Sequence, residues 1–253
     1  MRLVRNLVIV LVAFSMIAAS CGKKRVGEDD ARKAQGYYEM AVASMYHGDP
    51  TSALGDLQTA LTYNPNDPEI YHALGIVYYS KEKYGKAVSN FKKAIELQPD
   101  HSDSHHNLGH LYLTQGRYEI AIKEFHSALE NDLYRNRAQS LNALGYAYFK
   151  RRDYLEAEKF LKECIDHDRL YFTAYDNLAK VYIALERYDD AREILERGLE
   201  IRPVFPEAML DLAMVVCKQG DKKRGLDLLK RIKQMDPYGE FGARADEYKM
   251  LCE

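Results

Sequence analysis

The chain has 253 residues, with 36 Lys or Arg against 38 Asp or Glu, 47% hydrophobic residues, 20 Tyr and no Trp. That balance excludes disorder as the dominant state, and four Cys are too few to staple a chain of this length as a disulfide scaffold. Without its first twenty residues, which carry Arg2 and Arg5 and no acid, the formal charge falls from −2 to −4, so the mature chain reads as a poor nucleic-acid binder and no nucleic-acid partner is expected.

Residues 1–20 hold a short basic stretch, then the apolar run Leu7 to Ala19 interrupted only by Ser15, then Ser20 before Cys21 and Gly22. The run is too short for the roughly 20 residues that span a bilayer, so a cleaved signal is the expectation. Lys23-Lys24-Arg25 is the one feature that would suit a retained signal anchor. Ala18-Ala19-Ser20-Cys21 resembles the bacterial lipobox, with Ala18 where Leu is more usual. The resemblance implies cleavage before Cys21, acylation of its sulfur and of the new amino terminus, and a durable anchor, since two or three acyl chains each bury many CH₂ groups at about 0.8 kcal/mol apiece. Gly22 carries no acidic inner-membrane retention signal, which by the same resemblance points to the outer membrane. Residues 21–33 are charged, without a periodic apolar face, and read as the lipidated Cys and its tether.

The body repeats itself. Tyr71-His-Ala-Leu-Gly75, His105-His-Asn-Leu-Gly109, Leu141-Asn-Ala-Leu-Gly145 and Tyr175-Asp-Asn-Leu-Ala179 are spaced by 34, 36 and 34 residues, and extension both ways gives six units: 34–67, 68–101, 102–137, 138–171, 172–205 and 206–239. Within a unit, apolar positions 4, 7 and 11 stripe one face of a first helix, A. Small residues at position 8 (Gly75, Gly109, Gly145) and position 20 (Ala87, Ala121, Ala157) let A approach a second helix, B, and position 24 (Phe91, Phe125, Leu161) fills the hairpin core. Pro65, Pro99, Pro203 and Pro237 stop helix B, while Gly48, Gly116 and Gly220 supply tight A–B turns. This pattern resembles the tetratricopeptide (TPR) repeat, which implies an all-α, right-handed superhelix with a concave face lined by the A helices. Residues 240–253 show helical spacing of Phe241, Ala245, Tyr248 and Leu251 and are expected to cap the stack.

After the third unit the period lengthens to 36 residues, and Asn131 to Arg137 replaces the usual Pro. Six repeats behind a lipobox, interrupted there by Leu133, Tyr134 and Arg137, resemble the TPR pilotins of type IV pili, the PilF/PilW/Tgl lipoproteins. That resemblance implies a periplasm-facing outer-membrane lipoprotein that binds secretin subunits and promotes their localisation and multimer assembly. The alternative is a lipoprotein adaptor bringing a periplasmic protease or cell-wall hydrolase to its substrate.

No nucleophile elbow, phosphate loop or dinucleotide fingerprint occurs, so neither catalysis nor a cofactor is expected. His72, His106 and His110 could offer imidazoles to Zn²⁺, but His105 fills a core slot, no His-Glu-x-x-His arrangement is present and no carboxylate is evident nearby. A plain groove lining is favoured and no metal is expected. Projecting A-helix positions onto the concave face gives Tyr38, Val42, Tyr46, His72, Ile76, Tyr79, His106, His110, Leu113 and Tyr146 as the candidate partner-binding groove, most aromatic and apolar in its N-terminal half. Cys164 replaces a buried Ala and reads as a free thiol. Cys217 and Cys252 fall at similar heights on neighbouring A-type helices, which leaves either a disulfide or two unpaired thiols.

Overall fold

The computed structural model describes residues 26–252. Among these, thirteen helices and no strand are present, in chain order α1 (Glu28–Tyr46), α2 (Pro50–Tyr63), α3 (Pro68–Ser80), α4 (Tyr84–Leu97), α5 (Ser102–Thr114), α6 (Tyr118–Leu129), α7 (Arg137–Lys150), α8 (Tyr154–His167), α9 (Phe172–Ala184), α10 (Tyr188–Ile201), α11 (Pro206–Lys218), α12 (Lys222–Met235) and α13 (Glu240–Cys252). Odd-numbered helices are the A elements and even-numbered ones their B partners. They stack as a right-handed superhelix closed by α13. No helix among the described residues is long and apolar enough to cross a membrane. Cys21 lies outside the described residues.

The repeat's small positions have a direct steric reason. A Cβ on Gly109 would stand 2.8 Å from the Phe125 ring, one on Gly145 would stand 2.6 Å from Leu161, and one on Gly75 would collide with Phe91. Position 8 therefore receives the side chain from position 24 of the same hairpin. The A–B turns share another constraint. Gly48, Gly116 and Gly220 have φ of +73°, +72° and +92°, and the same position in the other three units is occupied by Glu82, Arg152 and Glu186 at φ of 57°, 66° and 58°. Every hairpin needs a left-handed residue there, and half of them meet that need without glycine.

One expected boundary moves. Helix α1 begins at Glu28, so residues 28–33, read from the sequence as tether, are helical. The acids Glu28, Asp29 and Asp30 favour the positive end of the helix dipole, and Asp29 pairs with Arg32 and Lys33 at 2.6 Å. The interruption after the third unit is anchored rather than loose: the buried Tyr134 donates its hydroxyl to Asp103 Oδ1 at 3.0 Å, and Arg137 bonds the Leu129 carbonyl at 3.0 Å.

The buried apolar residues divide in two. A nine-residue cluster with five alanines joins α1, α2 and α3, from Ala34 to Val77. A second, continuous cluster begins with Ala87 and Phe91 on α4 and runs to Cys252. The two meet within the second repeat.

At the C-terminal end Cys217 and Cys252 are bridged, with Cα atoms 5.1 Å apart, which decides between the two states the sequence left open. The bridge explains an exception in the repeat. Position 20 is Ala in the first five units and Gly225 in the sixth, where a Cβ would run into Cys217 Sγ and lie 3.1 Å from Cys252 Sγ. Cys164 is free and buried, its thiol pushed up to about 12 by burial.

Candidate protein-binding groove

Successive A helices are joined on their concave side by polar rungs between position 5 of one unit and position 6 of the next. Asn107 donates to His72 Nε2 at 2.9 Å, and Asn177 donates to Asn142 Oδ1 at 2.9 Å. His106 has Ala143 at the matching place and bonds Ser140 Oγ instead, at 2.8 Å. Burial, followed by the neighbouring imidazoles His101 and His110 respectively, lowers His72 and His106 to about 4, so both rings are neutral hydrogen-bonding groups near neutral pH.

The last rung is different. Asp176 and Asp211 occupy these positions in the fifth and sixth units. Asp176 Oδ2 accepts from Lys180 Nζ at 2.5 Å, whereas its Oδ1 is buried without a hydrogen-bond partner. Burial, then the Asp176 charge, raises Asp211 to about 6.

A hollow of about 990 Å³ lies against the rungs of the third to sixth units, between His110, Leu113, Tyr146, Tyr171, Lys180 and Phe205. A smaller one of about 220 Å³ adjoins it, lined by Ile76, Tyr79, Phe91, His106, Asn107 and His110. Of the ten groove residues projected from the sequence, the hollows thus gather Ile76, Tyr79, His106, His110, Leu113 and Tyr146. His72 is tied into its rung. Tyr38 is half-buried, and Val42 and Tyr46 are exposed on α1, where no preceding repeat supplies an opposite wall. The larger of these two hollows therefore sits nearer the C-terminal half than projection implied. Tyr171 and Phe205 were not in the projection, because both precede their A helices at the last position of a unit. The polar Asp67 and His101 hold that place earlier, and this switch to aromatic residues was the available signal.

The imidazoles also group differently. Glu69, His72 and His101 each bring a ligand-capable atom within 4.8 Å of the others, so a carboxylate does stand beside His72. The proton arrangement does not suit a cation. His101 Nδ1 accepts the Ser104 N–H at 3.1 Å to cap α5, which leaves the hydrogen on Nε2, the atom facing Glu69 Oε1 at 3.2 Å. His105 is held by Glu124 at 2.7 Å and the Pro99 carbonyl at 3.0 Å, a structural role.

Paired antiparallel helices of regular period, interrupted once, small residues at their crossings and a concave face sized for a peptide define a repeat scaffold for binding other proteins. Family models described as TPR repeat match residues 45–82 and 77–116, and models described as tetratricopeptide repeat match 100–170 and 148–208. The chain belongs to the tetratricopeptide-repeat family. A comparison with curated proteins gives no match. Among solved structures, PilF of Pseudomonas aeruginosa is similar with a TM-score of 0.79 at 16% identity, over 88% of this chain and 99% of that one. PilW, a widely conserved type IV pilus biogenesis factor, gives 0.76 at 18% identity over 82% and 96%. YrrB, a TPR protein with an unusual peptide-binding site, gives 0.61 at 17% identity over 76% and 97%. These likenesses establish a shared fold.

Proposed function

We propose that this chain is an outer-membrane lipoprotein pilotin for type IV pili. Held by lipid on Cys21 and facing the periplasm, it takes a segment of a secretin subunit into its concave face and promotes multimer assembly. The role is that of a non-catalytic scaffold. One conjunction carries the reading: a lipobox precedes six repeats interrupted after the third, on a fold superposable over 99% of PilF. The groove suits the task because the His72–Asn107 and Asn142–Asn177 rungs are satisfied within themselves, leaving aromatic and apolar side chains such as Tyr79, Leu113 and Tyr146 to meet an incoming segment.

The test is a membrane-fraction pull-down of the tagged chain alongside fractionation of secretin multimers in the producing cell. Secretin should co-purify, and Cys21→Ala should leave subunits unassembled or in the wrong membrane. Normal multimers in the outer membrane of a strain lacking this chain would refute the role. Substituting Ser for Tyr38, Val42 and Tyr46, and separately for Tyr79 and Tyr146, locates the contact along the groove.

A further inference from the structure

One edge of the superhelix carries the inter-repeat loops, and the structure ties these loops into a row. His101, in the loop before α5, bonds Glu69 at the start of α3 (3.2 Å), Tyr134 and Asn136 in the next loop bond Asp103 (3.0 and 3.2 Å), and Phe205 packs against Phe172 with ring centroids 5.1 Å apart. At their tips the first two loops present the polar Asn66 and Asp100. The last four present Leu133, Leu170, Val204 and Tyr238, exposed at 89%, 73%, 59% and 102%. Isolated exposed apolar residues need no explanation, but four consecutive loops carrying one at the tip form a pattern. Exposed arginines, Arg135, Arg169 and Arg202, flank the first three tips, and Asp132, Asp168 and Asp236 stand beside the first, second and fourth.

The described chain begins at this same edge. Tyr37 stacks on Tyr63 at the end of α2 with centroids 5.9 Å apart, and the Lys33 ammonium lies 5.5 Å from that ring. The first five residues of α1 therefore extend about 8 Å along the helix axis past the Lys33 contact with Tyr63, at 1.5 Å per residue. The 27 residues that precede them, Cys21 included, are joined to the fold on this side.

We infer that the loop edge rests on the bilayer, with Leu133, Leu170, Val204 and Tyr238 inserted at the level of the headgroups as a second attachment distant from the lipid. This rests on the anchoring part of the function proposed above. A lipid surface fits better than a protein partner: the tips are separate apolar points, each on its own loop, with an arginine beside each of the first three and a tyrosine as the fourth, a composition suited to an interfacial contact. The consequence is a fixed orientation, with the superhelix axis along the membrane and the groove opening sideways.

Because the chain has no Trp, a single introduced indole reports its own surroundings. Leu170→Trp, Val204→Trp and Tyr238→Trp are compared with Tyr46→Trp and Leu155→Trp, which lie beside A–B turns on the opposite edge, exposed at 88% and 79%. The acylated chain is reconstituted into equimolar phosphatidylethanolamine and phosphatidylglycerol vesicles, with or without brominated acyl chains. Loop-edge indoles should shift to the blue and be quenched several-fold more by brominated lipid than the two controls. Equal quenching at both edges, or none at the loops, overturns the inference. So does a blue shift that grows with protein concentration and ignores bromine, which would mean that a second copy covers the edge. An unacylated Cys21 in mass analysis would refute the anchoring reading separately. Coupling through that thiol to a maleimide lipid, with Cys164 buried and the other two cysteines bridged, then supplies the tether and the same indoles still decide.

Discussion

Replacing Cys252 with Ser should release the C-terminal helix while leaving the rest of the stack folded. Helix α13 buries few residues of its own, chiefly Gly242, Ala245 and Cys252, and has a neighbour on one side only. The bridge closes a loop of 35 residues, for which chain entropy gives about 4 kcal/mol. Converted at 1.36 kcal/mol per decade, that is close to three orders of magnitude in the local opening equilibrium. Amide hydrogen exchange over residues 240–252 is the appropriate assay, because a repeat array opens piecewise and one global unfolding free energy would average the effect away. Exchange there should accelerate by up to about a thousand-fold on reduction or in Cys252→Ser, with little change in α7 or α9. Gly225→Ala adds a matched control: its methyl runs into Cys217 Sγ, so overpacking of about 1–3 kcal/mol is expected with the bridge intact and less once Cys217 and Cys252 are both Ser. Unchanged protection of α13 after reduction would refute the reasoning and mean that packing of Phe241 and Tyr248 alone holds the helix.

Substituting Gly for Glu82, Arg152 or Glu186 relieves a left-handed residue at an A–B turn and should stabilise by about 0.5–1 kcal/mol each, measured as a rise in urea midpoint; a fall would mean those side chains hold the turn. Gly109→Leu should unfold its hairpin locally, since even a Cβ there lies 2.8 Å from the Phe125 ring; retained circular dichroism and exchange protection would contradict this. Asp211 gives a signed pH effect. Its folded value of about 6 exceeds the ordinary 3.8, so the protonated acid is favoured in the fold. Stability is fully present below about 4 and is lost as pH rises through about 6, by at most about 3 kcal/mol and nearer 1–2 for a half-buried group. Asp211→Asn should abolish that loss, most visibly in denaturation at neutral pH, by offering an amide donor to the unpartnered Asp176 Oδ1 as Asn177 does to Asn142; parallel pH profiles for the two proteins would refute it.

The repeat and its packing were legible because each slot constrains side-chain volume. Gly75 faces Phe91 and Gly145 faces Leu161, and one geometry repeated six times leaves a period in the sequence. Turns were half legible: glycine announces a left-handed residue at 48, 116 and 220, whereas Glu82, Arg152 and Glu186 adopt that conformation under tertiary constraint and leave no local mark. The groove was harder. Projection along the A helices reached Leu113 and Tyr146 but treated all units alike, although a terminal unit has no wall on its outer side, and it omitted Tyr171 and Phe205, which enter from loops. The acids at the start of α1 were read as tether because they have no apolar periodicity. Their contribution is to a helix end, where charge rather than burial decides.

The meeting of two buried clusters within the second repeat makes the molecule mechanically unequal along its length. A pull applied at the amino-terminal end loads first the small cluster of α1, α2 and α3, five of whose nine members are alanines, while the long cluster beyond Phe91 runs unbroken to the disulfide. The first hairpin is thus a compliant link and the remainder a rigid arm. Strain between a fixed point at one end and a cargo in the hollow would be absorbed by the opening of that link, leaving the walls around Tyr146 and Phe205 in place.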